Sequence, residues 1–354
     1  MNYEKYMKKC FKLALKAEGK TSPNPMVGCV LLDKDGNEIA NGYHKACGEK
    51  HAEADALSKV DTADTLVVNL EPCSHYGKTP PCADLIIKKG VKKVVIAMKD
   101  PNPIVSGNGI KKCRDANIEV IEGVLEKEAK ALNEVFIKNM CEKKCFVAIK
   151  TATTIDGKIA TNNGNSKWIT SEKARKEVQR IRNKYDAILT TDKTVIQDNP
   201  SMTCRLNNGK KLTRIIIDRE LKTNFSAKIY ENTNEKIYIV VDENLNTLSL
   251  PKHIELIKCK TYNNKVDISD MLKKIYEVGI RSLLVEAGGE FCGSLVEGGY
   301  VDKIYQFIAP RILCDNSGKS AFQGKEKKKM SDSYDYKIEK VTHFSPDILV
   351  TYTK

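Results

Sequence analysis

Three separated positions limit what this chain can fold into. His51 stands in Gly48-Glu49-Lys50-His51-Ala52-Glu53, and Cys73 and Cys82, each preceded by proline, bound the stretch Cys73-Ser74-His75-Tyr76-Gly77-Lys78-Thr79-Pro80-Pro81-Cys82. One imidazole and two thiolates are donors that zinc prefers, and three protein ligands leave the fourth tetrahedral position open to water, as in catalytic sites. A fold that joins them must return twice to one point. Each ligand stands beside a helix-start signal, at the kind of strand-to-helix junction where ligands collect and where a helix N-terminus favours thiolate over thiol. Taken singly, each has a plainer reading: a buried Cys is commonly a small apolar filler, and the chain holds twelve. The ordered conjunction of His-x-Glu, Pro-Cys and Pro-Cys outweighs those readings.

Glu53 lies two residues beyond His51, about 200° round a helix, so the two cannot present one metal face in mid-helix. One is the ligand and the other does something else. The residue types match hydrolytic deamination, in which a non-ligand Glu after the metal-binding His carries protons from water to the departing amine, and Pro-Cys-x-x-Cys completes the ligand set. The departure here is the spacer: residues 74–81 separate the cysteines, eight positions instead of two.

At 354 residues the chain exceeds a typical single core and suggests two domains. Twelve cysteines without a signal peptide or a compact disulfide spacing argue for reduced thiols in the cytoplasm. Apolar runs such as Val94-Val95-Ile96-Ala97-Met98 fall far short of the roughly 20 residues of a membrane helix, so a soluble protein is expected. A net charge of +13 invites a nucleic-acid reading, but fifty of the fifty-nine basic residues are Lys spread over the whole chain, and the one dense run, Lys325 to Lys329, is short and interrupted by Glu326. A small phosphorylated substrate would benefit from the same field.

In chain order, Tyr3, Met7, Cys10, Phe11, Ala14 and Ala17 fall at helical spacing before Gly19. Residues 27–32 and 38–43, joined through Asp35-Gly36, read as a hairpin. A helix over 53–60, a strand over 65–69, a helix over 82–89 and a strand over 94–98 follow, giving a layered α/β domain. Composition shifts at Lys138 to Lys144, which reads as a link. The second α/β domain opens with a strand at 146–150. A helix capped by Ser171 turns Ala174, Val178 and Ile181 inward, and strands follow at 187–190, 214–217, 237–241 and 254–259. After a helix at 268–278, the strand 282–286 runs into Ala287-Gly288-Gly289 and a helix from Phe291, an arrangement that lets backbone N–H groups approach a phosphate. A plain tight turn is the alternative reading of these glycines. Trp168, the only Trp, reads by default as a core anchor.

Together these stretches resemble the bifunctional deaminase/reductases of bacterial riboflavin biosynthesis. In the first half the resemblance rests on Pro23-Asn24-Pro25-x-Val27-Gly28-Cys29, Gly42-Tyr43-His44, His51-Ala52-Glu53, Leu70-Glu71-Pro72-Cys73-Ser74-His75, Gly77-Lys78-Thr79-Pro80-Pro81-Cys82 and Asp100-Pro101-Asn102-Pro103. The long cysteine spacer is the family's own. In the second half it rests on the segment from Lys150 through Asp156-Gly157, on Ser166-x-Trp168-Ile169-Thr170, on Thr194-Val195-x-x-Asp198-x-Pro200-x-x-Thr203-x-Arg205 and on Glu286-Ala287-Gly288-Gly289.

The resemblance implies a cytidine-deaminase-like layered α/β domain over 1–144 and a dihydrofolate-reductase-like α/β domain over 145–354, with Zn2+ and NADPH as cofactors. It implies that Ala152, Trp168, Thr194, Asp198, Gly288 and Gly289 line the cofactor, while Lys150, Ser166, Arg182, Met202, Arg205 and Glu286 hold the ribose phosphate substrate. Arg182 and Arg205 would clamp the phosphate, and Lys150 and Glu286 are the candidates for proton handling. Asn24, His44, Lys78 and Asn102 would contact the deaminase substrate. The expected partner is a small phosphorylated pyrimidine, with no nucleic acid and no membrane; a homo-oligomer is compatible with the chain. A nucleic-acid deaminase with an accessory domain is a weaker rival, because no aromatic-basic tract is visible. A metal-stabilised binding protein is another, against which Glu53 argues, since a structural zinc needs no proton shuttle and usually has four protein ligands.

Overall fold

The computed structural model describes residues 2–354 apart from 77–79, 104, 207–208, 232–234 and 247–249. The chain forms two compact units, Met1–Lys143 and Lys144–Lys354.

The first unit runs Tyr3–Ala14 (α1), Gly28–Leu32 (β1), Glu38–Tyr43 (β2), Ala52–Leu57 (α2), Thr65–Leu70 (β3), Cys82–Lys88 (α3) and Lys93–Met98 (β4). Asn108–Asp115 (α4), Glu119–Ile121 (β5), Glu126–Leu132 (α5) and Glu134–Glu142 (α6) complete it. Among the described residues its sheet has the order β2-β1-β3-β4-β5. The β1–β2 hairpin is antiparallel, β1 also runs antiparallel to β3, and the pairs β3–β4 and β4–β5 are parallel. Strands β1 and β3 are buried along their whole length, as expected of central strands whose residues read as nearly unbroken apolar runs. Helix α1 seals the sheet with Met7, Cys10, Leu13 and Ala14. The stretch Lys138 to Lys144, expected as a link, is instead mostly helix. Phe136 and Ile137 of α6 pack on the first core; of the three lysines in the stretch only Lys138 lies in the helix, and Lys143 and Lys144 follow its end.

The second unit opens with Phe146–Thr153 (β6) and Lys158–Ala160 (β7), then Glu172–Lys184 (α7), Ala187–Thr191 (β8) and Asp192–Asp198 (α8). It continues with Thr213–Ile217 (β9), Ile237–Asp242 (β10), Ile254–Cys259 (β11), Thr261–Tyr262 (β12), Lys265–Val266 (β13) and Ile268–Glu277 (α9). The last elements are Ser282–Val285 (β14), Gly289–Glu297 (α10), Lys303–Ile308 (β15), Lys319–Ser320 (β16), Lys337–Phe344 (β17) and Asp347–Thr353 (β18). Among the described residues the main sheet has the order β11-β10-β9-β8-β14-β6-β15-β18-β17. Neighbours are parallel from β11 to β15, and the closing β17–β18 hairpin is antiparallel. Ligands of open parallel sheets bind at the carboxyl ends of the strands, so the ends of β6, β14 and β8, side by side in mid-sheet, are where a site belongs. Ser171 caps α7 as expected, accepting from the Ala174 N–H, and Ala174, Val178 and Ile181 are buried. Trp168 departs from the core-anchor reading: it is 61% exposed, with the Arg175 guanidinium 4.5 Å from its ring centre.

Candidate metal centre and cofactor site

His51 ends the loop after β2 as the residue capping α2, Cys73 follows β3 through Glu71 and Pro72, and Cys82 is the first residue of α3. Three chain segments therefore meet, and the ligand atoms of His51, Cys73 and Cys82 lie within 4.8 Å of one another. His51 Nδ1 is 3.5 Å from Cys73 Sγ and 3.3 Å from Cys82 Sγ. Two N–H groups of the first turn of α3 turn toward Cys73: Cys82 donates to its sulfur at 3.2 Å and Ala83 to its carbonyl at 3.1 Å. The sulfurs are too close to ionise independently. Hydrogen bonding from Cys82, opposed by burial and helped by His51, draws the Cys73 thiol down to about 4, while the same contact and burial push Cys82 well up. One proton shared by two thiols facing an imidazole is the donor set that a divalent cation completes, and the group fits zinc. Glu53, one residue into α2, is buried outside that ligand set. Burial first, and then the Cys73 charge, push its carboxyl up to about 7.

Around this centre the expected substrate contacts take different places. His44 is buried, its ring edge-on to that of His51 with centres 5.7 Å apart. The Asn24 amide donates to His44 Nε2 at 3.1 Å, and Nδ1 donates to the Lys50 carbonyl at 3.0 Å. Both nitrogens thus hold protein, and His44 braces the peptide leading into His51. Asn24 is held in turn through Met26, whose N–H donates to Asn133 and whose carbonyl accepts from Asn69 and Asn133. Neither Asn69 nor Asn133 stood out in the sequence, because a buried amide that satisfies backbone leaves no pattern of its own. Asn102 lies in the loop after β4. Its carbonyl accepts from Val105 and Ser106, and its N–H donates to Asp100, whose carboxyl is raised by burial and, further, by the charges of Glu71 and Cys73. Lys78 lies outside the described residues.

In the second unit Glu286, directly after β14, is the centre of a buried cluster. Arg182 of α7 donates to both its oxygens, from Nε at 2.7 Å and Nη2 at 3.0 Å, and Lys150 Nζ of β6 reaches Oε2 at 3.2 Å. Burial would raise the carboxyl, but the Arg182 charge, then that of Lys150, hold it at about 2. Arg182 Nη1 also donates to the Thr203 carbonyl at 2.8 Å, and Nη2 approaches Met202 Sδ at 3.7 Å. Arg182 thus turns most of its N–H groups toward protein. Arg205 differs: its backbone is tied to Gln179, while its side chain is exposed and has no ion-pair partner among the described residues. Buried Met202 has φ 49°, a left-handed conformation that a bulky side chain adopts only when its surroundings impose it.

Thr190 of β8 donates to the Glu286 carbonyl at 2.8 Å, fixing the start of the glycine loop. The two glycines differ. A Cβ on Gly289 would stand 2.0 Å from the Ser320 carbonyl, so close packing explains it. A Cβ on Gly288 would meet nothing within 4 Å, and its φ of −67° suits any residue. Neither packing nor dihedral calls for a glycine there, and the open space beside the N-terminus of α10 fits a phosphate-bearing cofactor. Thr194 in α8, with its hydroxyl 3.3 Å from that of Thr191, and Asp198, the last residue of α8, follow β8 on the same edge of the sheet. Ala152 is half-buried near the end of β6, Ser166 is half-buried in the segment before α7, and Trp168 is held by its carbonyl, which accepts from Arg311 at 2.9 Å.

Residues 145–350 match the family model described as the RibD C-terminal domain, and residues 1–98 match the cytidine and deoxycytidylate deaminase zinc-binding region. The riboflavin biosynthesis protein RibD of Actinobacillus pleuropneumoniae is 39% identical over 98% of this chain and 94% of its own length. That of Escherichia coli is 34% identical over 98% of both. Among solved structures, a diaminohydroxyphosphoribosylaminopyrimidine deaminase/5-amino-6-(5-phosphoribosylamino)uracil reductase of Thermotoga maritima superposes with a TM-score of 0.89 at 39% identity, covering 99% of this chain and 98% of that one. Acinetobacter baumannii RibD superposes with a TM-score of 0.88 at 31% identity, over the same shares.

Proposed function

The chain belongs to the RibD family of bifunctional riboflavin-biosynthesis enzymes, and from that premise we propose how its residues divide the work. The enzyme hydrolytically deaminates 2,5-diamino-6-ribosylamino-4(3H)-pyrimidinone 5′-phosphate, then reduces the ribosyl group to ribityl with NADPH. Deamination is assigned to residues 1–144 and reduction to 145–354.

The observation that carries the first assignment is the convergence of His51, Cys73 and Cys82 with buried Glu53 beside them. His51, Cys73 and Cys82 would hold zinc, which polarises a water for attack on the amine-bearing ring carbon. Glu53, its carboxyl raised to about 7, is poised to take a proton near neutrality and return it to the leaving amine. His44 and Asn24 keep the entry to His51 rigid, and Asn102 is the substrate contact of the neighbouring loop.

For reduction, Gly288 and the N-terminal turn of α10 would help hold NADPH, which would supply hydride to the sugar C1′. Arg182 fixes Glu286 as a charged acceptor, which a group held at about 2 remains throughout the neutral range. Lys150 has further ammonium protons beyond the one it gives Glu286, so the reading assigns it proton donation to the opening sugar. Arg205, exposed at the end of the segment anchored by Gln179 and Arg182, takes the phosphate. None of the twelve cysteines is paired in a disulfide, which supports a cytoplasmic setting. Several exposed lysines pair with acids one helical turn away, which supports a small-molecule substrate over nucleic acid.

The test is direct. Zinc-loaded protein with the diaminopyrimidine phosphate and NADPH should release one ammonia and oxidise one NADPH per turnover, with oxidation lagging release. NADPH oxidation that needs no prior deamination of this substrate would break the assigned order.

A further inference from the structure

Glu71 closes the loop that carries Asn102, and we infer that it is a positioning residue for deamination, acting through that loop on the substrate. The inference rests on the reading of Asn102 as a substrate contact. Glu71 is 3% exposed and follows β3 directly. Its Oε2 accepts from the Asp100 N–H at 3.1 Å and the Gly107 N–H at 2.9 Å, so one atom ties both ends of the segment 100–107. Its Oε1 accepts from Gly109 at 2.9 Å and Ile110 at 3.3 Å, in the first turn of α4. Inside the segment, Asp100 holds the Asn102 N–H at 2.8 Å, and the Asn102 carbonyl accepts from Val105 and Ser106 at 2.9 Å.

The clamp also touches the metal centre's own peptide. A Cβ on Gly109 would lie 2.0 Å from the Pro72 carbonyl, so α4 rests on the residue between Glu71 and the ligand Cys73. A three-residue stretch, Glu71-Pro72-Cys73, thus sets the metal ligand and the substrate loop in one frame. Fixing the loop beforehand removes conformers that binding would otherwise have to freeze. Four N–H groups converge on two oxygens, which only an acceptor on both atoms satisfies; a glutamine amide would turn its own N–H groups toward two donors.

The experiment uses the full zinc-loaded enzyme. In Glu71→Gln the KM for deamination is expected to rise at least about tenfold, with kcat within about threefold, because hydrogen bonds to a carboxylate are lost from binding geometry and not from the chemistry. Zinc stays bound and NADPH oxidation with deaminated substrate stays at the parental rate. A parental KM, a loss confined to kcat, or loss of zinc overturns the inference. Asn102→Ala should raise the same KM, and the double variant should fall short of the product of the single effects; full multiplicativity overturns action through the loop. A parental KM in Asn102→Ala removes the reading of Asn102 itself, a result distinct from a parental KM in Glu71→Gln. Where Glu71→Gln does not accumulate folded, Asp100→Ala removes the acceptor of the Asn102 N–H and should raise KM alike; a parental value there overturns the inference.

Discussion

Glu53 and Glu286 are both buried carboxylates, and their neighbours send them in opposite directions. For Glu53 burial is the largest influence, the Cys73 charge adds to it and the His51 charge opposes them, so its carboxyl rises to about 7. Glu286 is buried between Arg182 and Lys150, and the two cations outweigh burial. Glu53→Gln should therefore keep zinc, lose deamination by roughly 10²-fold to 10⁴-fold, and leave reduction intact. Zinc content, ammonia release and NADPH oxidation on the same sample check it; loss of metal would make Glu53 a ligand. For Glu286 the folded carboxyl at about 2 lies below its ordinary 4.5, so its contribution to stability is complete above about 4.5 and disappears as pH falls toward 2. The size is on the order of 3 kcal/mol for such a shift. Urea midpoints of the parent and Glu286→Gln should differ most near neutrality and converge over that acid window. A constant difference would mean that the ion cluster is not its source.

At the scale of elements, Gly288→Ala and Gly289→Ala make a paired prediction. The first change meets open space and should leave stability within about 1 kcal/mol while weakening NADPH binding. The second drives a methyl group into the Ser320 carbonyl and should cost about 1–3 kcal/mol, seen as a lower unfolding temperature. Equal losses of stability would remove the distinction. Most strands from β1 to β14 were legible in the sequence because central strands of parallel sheets are unbroken apolar runs with turn residues at their ends. Strand β17 was not: it is exposed along most of both faces, so neither run nor alternation marks it. The end of helix α6 was hidden because Lys143 and Lys144, just past it, shift the composition as a link would. At the site, ligands and ionisable groups were legible by residue type and spacing. The grip of Glu71 on four N–H groups was not, since backbone donors are the same at every position. Arg182 was read as a phosphate clamp, and only its geometry reveals its two-point hold on Glu286.

At the scale of the whole molecule, the apolar cores are separate: one is built from residues of the first unit alone and two from the second alone. A fragment covering 145–354 should fold, bind NADPH and reduce deaminated substrate, with the cofactor's fluorescence as the readout; insolubility of both halves at varied boundaries would point to one interdependent fold. Among the described residues only one group of three or more side chains suits a metal, so analysis should find one zinc per chain, lost in Cys82→Ser. A chelator that strips it should abolish ammonia release and spare NADPH oxidation. Two interiors that melt independently would not fail all at once on warming. Whichever core gives way first decides what a heat-stressed cell is left holding: if the reductase melts first, the deaminated sugar phosphate accumulates unreduced, and if the deaminase melts first, nothing enters the sequence at all.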